Sequence, residues 1–278
     1  MAWNDSLAQK LINIAAFVLF TGGNSYGSVA PGSRWGAGAH PSYLTPEPWI
    51  FGTWAIIHIL LIGLLVVQFT DVGHAPVIGG LGWRFPLLCV LNALYAGLSS
   101  AHSSGHGSVS DFVWSLLAFI VMIFVAGSVS HIYRTIKVHY PAKTLLEVVF
   151  IHAPFSLWHG FSVVLLFLSG FSAFGVDASH HKAGIATDIL VFAALLLLEA
   201  TAAGYALHAN GDLVGAAVIS AALLAIFQHQ TISHANKFIH YSALVFFIIS
   251  LVAVVRAAIA AIQGRSAAGA SERTPLVA

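Results

Sequence analysis

The chain has 278 residues, of which 58% are hydrophobic and 8% are charged, and its formal net charge is +1. Soluble domains carry roughly a quarter charged residues, so this composition predicts an integral membrane protein in a lipid bilayer. The absence of a basic cluster excludes nucleic acid as a partner, and the single cysteine excludes an intrachain disulfide and a cysteine-based metal cage.

Long apolar segments dominate the chain from its beginning. About 20 apolar residues cross the ~30 Å hydrocarbon core of a bilayer, so eight such segments predict eight membrane-spanning helices. We interpret the first as a helix rather than a cleaved signal peptide, because its apolar run continues and no small-residue cleavage site follows. The predicted fold class is all-α, a polytopic membrane helical bundle. The predicted spans cover residues 7–29, 48–70, 83–102, 111–136, 143–174, 183–208, 212–230 and 234–262.

The segments between these spans are rich in glycine, serine and proline, which indicates loops. Eight spans place both termini on one side of the membrane. That side carries more lysine and arginine than the other, so the positive-inside rule predicts that both termini are cytoplasmic. The end of the tail, residues 272–277, looks like an acidic di-leucine sorting signal. This signal would suit a eukaryotic endomembrane or vacuolar membrane.

The fifth predicted span carries two histidines around a proline. His152 and His159 are two helical turns apart and therefore lie near one face. Pro154 removes a backbone hydrogen bond, and the resulting kink beside Trp158 predicts the wall of a cavity. Hydrogen bonding to a neighbouring helix is an equally supported alternative for both histidines. Their separation, about 10 Å along the axis, is too short for two stacked haems.

Two acidic residues fall within the sixth predicted span. Glu199 lies near its middle and Asp188 near its start. An ionised carboxylate inside a bilayer is costly unless it is paired, so both residues are candidates for a proton or ion relay. A protonated acid that hydrogen-bonds an adjacent helix is the structural alternative.

Three short motifs occur in the second, third and fifth predicted spans. They read PEPWIF at residues 46–51 with Trp54 and His58 following, LNALY at 91–95, and PFSLW at 154–158. In this order they resemble the motifs of the tryptophan-rich sensory protein/translocator protein (TspO) family, in which tyrosine usually stands at the position of His58. On this resemblance the chain looks like a divergent and extended relative of that family.

The resemblance covers about residues 1–175, which predicts a TspO-like five-helix membrane unit. Residues 176–264 would then form a three-helix membrane extension. The small, polar composition of residues 265–278 predicts a disordered cytoplasmic tail.

This resemblance implies a membrane binding or sensor protein with an intramembrane pocket for a flat hydrophobic ligand, tetrapyrrole- or sterol-like. Porphyrin or haem would be a ligand rather than a resident cofactor. The sequence leaves a homo-oligomer open as a partner. Aromatic side chains would stack on the ligand while asparagine and histidine bond its polar edge. The candidate ligand-binding residues are Trp49, Trp54, His58, Asn92, Tyr95, His152, Phe155, Trp158 and His159.

Two other interpretations stay open at this point. A proton-coupled or small-solute transporter or channel would use Asp188, Glu199 and the intramembrane histidines. A structural membrane protein without a pocket would use the same side chains for packing only. We expect no enzyme activity, because the sequence identifies no nucleophile with a partner base.

Overall fold

A computed structural model describes residues 4–29, 41–100, 109–207, 211–233 and 236–271. In these ranges the chain consists of helices joined by turns and loops, with no strand, which confirms the predicted all-α bundle. Most of the predicted glycine-rich loop, most of the turn at 101–111 and the sorting-like segment 272–277 lie outside the described residues.

The first half of the chain forms helices α1 to α5. Pro48 begins a short 3₁₀ turn that leads into α2, as suits a residue whose missing N–H would have no helical partner at that position. The helices are α1 (Leu7–Val29), α2 (Thr53–Val67) after the turn Pro48–Gly52, α3 (Asp71–Gly73) continuing as a π-helix (His74–Leu81), α4 (Arg84–Ser100) and α5 (Val109–His139).

The second half forms helices α6 to α10. A capping box of Thr144 and Glu147 begins α6, and a five-residue π-helix joins it to α7 just before Pro154. Proline has no N–H to donate. The hydrogen bond that is missing at Pro154 accounts for the change from α-helical to π-helical hydrogen bonding just before it. The elements are α6 (Leu145–Glu147), the π-helix (Val148–His152), α7 (Ala153–Phe174), α8 (Ile185–Leu207), α9 (Leu213–Ser233) and α10 (Lys237–Ser271).

Two predicted non-helical segments are helical in the structure. The segment 71–82 was expected to be a loop, but the Thr70 hydroxyl accepts a hydrogen bond from the Gly73 N–H and caps α3. Val77 and Leu81 are buried in the following π-helix, so packing offsets the effect of its glycines. Helix α10 continues to Ser271 through an alanine-rich segment, where the sequence predicted a disordered tail from residue 265.

Six helical segments of the described chain are long and apolar enough to cross a membrane. A seventh span arises if residues 71–81 and α4, which meet at 66°, are counted as one. Helix α1 has 23 residues but carries several polar side chains and is less apolar. The chain is therefore a multi-pass membrane protein, and the count of eight spans stays a prediction.

Helix packing leaves one pair of neighbours loosely joined. Helix α1 packs on α4, α4 on α5, α5 on α7, and α7 on α9. Helices α8, α9 and α10 form a second closely packed group, and α8 makes little contact with α7. A space therefore opens between α8 on one side and α5 and α7 on the other.

Helices α7 and α9 cross closely at two glycines. A Cβ atom on Gly160 would lie 2.7 Å from the carbonyl oxygen of Gly215, so a side chain there would force the helices apart. This approach brings Ser156, one turn before Gly160, against Asp212 at the start of α9. The small residues thus place a carboxylate inside the bundle.

The segment before α2 hydrogen-bonds α9 and the loop before α8, at the opposite end of α9 from Asp212. Its contacts join the two groups of helices that the sequence predicts as separate units. The Glu47 carboxylate lies 3.0 Å from His229 Nδ1, and the backbone N–H of Glu47 donates to the Ala225 carbonyl. Further hydrogen bonds are Trp49 to Gln228, Gln230 to the Tyr43 carbonyl, Tyr43 to the His181 carbonyl, and the Ala178 N–H to the Pro41 carbonyl.

Candidate functional site

The predicted aromatic residues of α2 and α7 lie together, but a phenylalanine of α1 fills the space between them. The Phe20 ring stacks on Trp158 with centroids 4.7 Å apart and planes 13° apart. Trp54 meets Trp158 edge to face at 6.0 Å, and His58 lies 4.6 Å from the Phe20 ring. Phe20 and Trp158 are both 0% exposed. This aromatic cluster (Phe20, Trp54, His58, Trp158) is therefore packed core.

Polar side chains extend the aromatic cluster toward α4. Asn92 donates from Nδ2 to Asn24 Oδ1 at 3.2 Å, and Asn24 Nδ2 lies 3.4 Å from His58 Nε2. In the described part of the chain, Trp158 Nε1 and Asn92 Oδ1 are buried without a hydrogen-bond partner. The residues that join these positions, Phe20 and Asn24, both belong to α1, which the sequence did not include in the pocket.

Three other predicted residues have separate packing partners. The Tyr95 hydroxyl lies 3.0 Å from the Ser169 hydroxyl, and His152 donates from Nε2 to the Tyr140 carbonyl at 2.9 Å. Trp49 is 49% exposed and hydrogen-bonds Gln228, away from the aromatic cluster. His152 thus bonds the backbone directly after α5, which is a packing contact of the kind that the structural alternative describes.

The remaining aromatic candidate extends the buried core. Phe155 lies parallel to Trp158 at 6.4 Å and meets Phe85 edge to face at 6.2 Å. It is 1% exposed, so it belongs to the core beside the aromatic cluster.

The two predicted carboxylates do not meet. Asp188 accepts a hydrogen bond of 2.7 Å from Asn236 Nδ2 where α8 and α10 begin. Glu199 is half-buried on α8 and has no hydrogen-bond or ion-pair partner among the residues that the structure describes. A relay through both would need a connection between them that these contacts do not provide.

A cleft of about 730 Å³ lies where α8 stands apart from α5 and α7. Of the residues predicted for the ligand site, His159 lines this cleft. Gly211, with φ +52°, allows the sharp turn that carries the chain from α8 into α9 at one end of it. The side chains with aromatic or polar groups on its lining are Ser130, Tyr133, Arg134, Lys137, His159, Thr201, Tyr205 and Asp212.

Asp212 is the polar centre of the cleft. Its Oδ2 lies 3.1 Å from Lys137 Nζ and accepts hydrogen bonds from Tyr133 at 2.8 Å and Ser156 at 2.7 Å. The Gly215 N–H donates to Oδ1 at 3.2 Å. Burial favours the neutral acid, but the charge of Lys137 and these hydrogen bonds hold the pKa of Asp212 below its usual value. Asp212 is therefore ionised at neutral pH.

His159 is hydrogen-bonded at both ring nitrogens by its neighbours. Ser130 donates its single hydroxyl proton to the Ala126 carbonyl at 2.6 Å, so the His159 Nε2–H, 2.7 Å away, donates to Ser130. The Tyr205 hydroxyl hydrogen-bonds Nδ1 on the other side of the ring. The Tyr133 ring stacks on the imidazole with centroids 4.6 Å apart. Both imidazole nitrogens are therefore used in hydrogen bonds to protein side chains.

Ser130 and His159 form a hydroxyl–imidazole contact, a pairing of nucleophile and base types that the sequence did not predict. Because the serine proton is directed to a helix carbonyl, the imidazole does not act as its base in this arrangement. A proton path from Tyr205 through His159 and Ser130 would therefore end at the Ala126 carbonyl, on the backbone of α5. The cleft has an aromatic wall, a small number of fixed polar groups and open volume, which are the properties of a ligand site.

Spacing gave a partial signal for the residues that sequence reasoning missed. Tyr133 and Lys137 are four apart on α5 and therefore share one face. Asp212 is the first residue of a predicted span, where an aspartate commonly caps a helix. Their meeting depends on how α5 and α9 pack, for which the sequence contains no local signal.

The fold and the cleft define a multi-pass, all-α membrane protein with a ligand-sized opening between two groups of helices. Residues 10–256 match a protein family described as TSPO-like protein. The match covers most of the chain, so the chain belongs to the TSPO-like family. It continues past residue 175 through α8 and α9 into α10, and thus includes helices on both sides of the cleft. No curated protein and no solved structure shows a significant match.

Proposed function

We propose that this chain is a membrane binding or sensor protein that takes a flat hydrophobic ligand, tetrapyrrole- or sterol-like, into the cleft between α8 and helices α5 and α7. The observation that carries the proposal is an open volume of about 730 Å³ lined by the rings of Tyr133, His159 and Tyr205. Ligand sites of this kind are typically about 300–1,000 Å³, with apolar walls and few polar groups. Membership of the TSPO-like family supports the general class.

The proposed site differs from the one that the motifs suggested. Between α2 and α7 the Phe20 ring already occupies the stacking position on Trp158. A ligand there would have to displace a fully buried aromatic side chain, whose burial is worth about 1.5–3 kcal/mol. The cleft requires no such displacement. Of the residues predicted for ligand binding, His159 is the one that lines the cleft.

The state of His159 indicates how the ligand would be held. Tyr205 and Ser130 use both imidazole nitrogens, so neither is free to ligate a haem iron. Stacking against aromatic rings does not depend on a metal. We therefore expect metal-free protoporphyrin to bind about as tightly as haemin.

Filling the cleft should abolish this binding. Gly204 lies on the cleft lining, and a Cβ atom there meets no other atom within 4 Å, so Gly204→Phe places a ring in open space. We expect the affinity for protoporphyrin IX to fall by about tenfold or more, since overpacking costs about 1–3 kcal/mol. Porphyrin absorbance on titration of the protein in nanodiscs measures the effect.

Gly97 provides the matched control. It lies on α4 with equally open surroundings and does not line the cleft, so Gly97→Phe should leave the affinity unchanged. Equal affinities in the wild type and Gly204→Phe, or no saturable binding by the wild type, would contradict the proposal.

The second candidate function is a proton-coupled or small-solute transporter. One observation favours it, because Glu199 is half-buried in a membrane helix without a partner in the described chain, which is a costly position. A transport role requires Glu199→Gln to abolish flux. We expect proton flux into proteoliposomes to be the same for the wild type and Glu199→Gln. Glu199-dependent flux would favour transport over binding.

A further inference from the structure

Two basic residues lie at the opening of the cleft. Arg134 and Lys137 are three apart near the end of α5, and both line it. Lys137 bonds Asp212 and lies 5.6 Å from the Tyr133 ring centroid. Arg134 is exposed and has no hydrogen-bond or ion-pair partner within the part of the chain that the structure describes. One of the two cations is therefore available.

The single carboxylate of the cleft lining does not serve Arg134. Asp212 Oδ2 is already occupied by Lys137, Tyr133 and Ser156, and Oδ1 accepts from the backbone of α9. The charged groups on the described lining thus add up to one excess positive charge. Beside apolar walls the effective dielectric constant is lower than in water, so this charge attracts an anion more strongly than an isolated surface arginine does.

We propose that the ligand of the cleft is an acidic amphiphile, with its apolar body between α5, α7 and α8 and its carboxylate or phosphate on the Arg134 guanidinium. The inference rests on the proposed function and specifies its ligand class. A planar guanidinium binds carboxylate or phosphate through two parallel hydrogen bonds, which suits this end of the site. The acidic group comes either from a free amphiphile or from an anionic lipid headgroup.

Two probes with one body test the acidic group. Protoporphyrin IX and its dimethyl ester share the tetrapyrrole ring and differ in their carboxylates. In nanodiscs of phosphatidylcholine we expect the acid to bind about tenfold more tightly than the ester, because its carboxylate makes one additional charge-assisted hydrogen bond with Arg134. Arg134→Gln should remove this preference and leave the affinity for the ester unchanged.

Arg84→Gln is the control. Arg84 hydrogen-bonds the Gly80 carbonyl beside Tyr140, so it lies at the same end of the bundle, but it does not line the cleft. This variant should keep the preference for the acid. Equal binding of acid and ester by the wild type, or a preference that persists in Arg134→Gln, would overturn the acidic amphiphile and leave the proposed function standing. Failure of both probes to bind would refute the proposed function itself.

A lipid series distinguishes the two sources of the acidic group. Part of the phosphatidylcholine is replaced with phosphatidylglycerol, and the acid is titrated again. If lipid headgroups occupy Arg134, the anionic lipid weakens acid binding in the wild type more than in Arg134→Gln. If a free amphiphile is the ligand, the change is the same in both proteins.

Discussion

Trp158→Ala is expected to lower the free energy of unfolding by about 3–5 kcal/mol and to leave the affinity for a ligand in the cleft unchanged. The side chain is 0% exposed and contacts Phe20 of α1 and Trp54 of α2. Its removal leaves a void where three helices meet, and neighbouring rings cannot fully close it. Denaturation in detergent measures the first effect and porphyrin titration measures the second.

Trp83→Ala is the control for this loss of stability. Trp83 is 64% exposed, so its removal should change the unfolding free energy by about 0.5 kcal/mol or less. If Trp158→Ala instead abolished ligand binding at unchanged stability, the aromatic cluster would be the binding site. Phe20 would then have to move aside to admit the ligand.

Asp212→Asn is expected to destabilise the protein by about 2–3 kcal/mol at neutral pH. The change leaves Lys137 without its counter-charge and weakens the hydrogen bonds from Tyr133 and Ser156. Because Lys137 is 37% exposed, water compensates part of the loss, and the effect stays below that of a fully buried pair. Asp188→Asn is the matched control. Asp188 bonds a neutral amide, so about 1 kcal/mol or less is expected.

The effect of Asp212→Asn should depend on pH in one direction. The folded-state pKa of Asp212 is lowered, so the folded chain holds this proton less tightly than the unfolded chain does. Its stabilising contribution is complete above the ordinary pKa of an aspartate and disappears as the pH falls through the folded-state pKa. Melting temperatures of the wild type and the variant should therefore converge in acid. A constant difference across the whole range would show that the carboxylate charge is not the cause.

The aromatic cluster shows how far the sequence motifs reach. Trp54, which follows the motif at 46–51, and Trp158 of the motif at 154–158 lie in contact between α2 and α7, whereas their role in ligand binding stays a prediction. The motifs contained no information on α1, whose Phe20 and Asn24 complete the packing. Which residues of α1 reach the aromatic cluster depends on how α1 packs against α4, and the motifs include no residue of α1.

The cleft gives the complementary case. Lys137 and Asp212 were visible in the sequence only as charges near the ends of predicted spans. They meet because Gly160 and Gly215 let α7 and α9 approach closely while α8 stands apart from α5. Helix-to-helix distance depends on several side chains at once, so a linear pattern of charges does not define the site.

The sequence by itself determined that this is a multi-pass, all-α membrane protein related to the TspO family. Twenty consecutive apolar residues must form a helix in a bilayer, since each backbone N–H and C=O needs a partner within its own segment. Tertiary structure alone decided which polar groups share a space. In lipid both faces of a helix are apolar, so the hydrophobic pattern does not specify neighbours, and close packing of small residues specifies them instead. That packing places Asp212, Lys137 and His159 around one cleft.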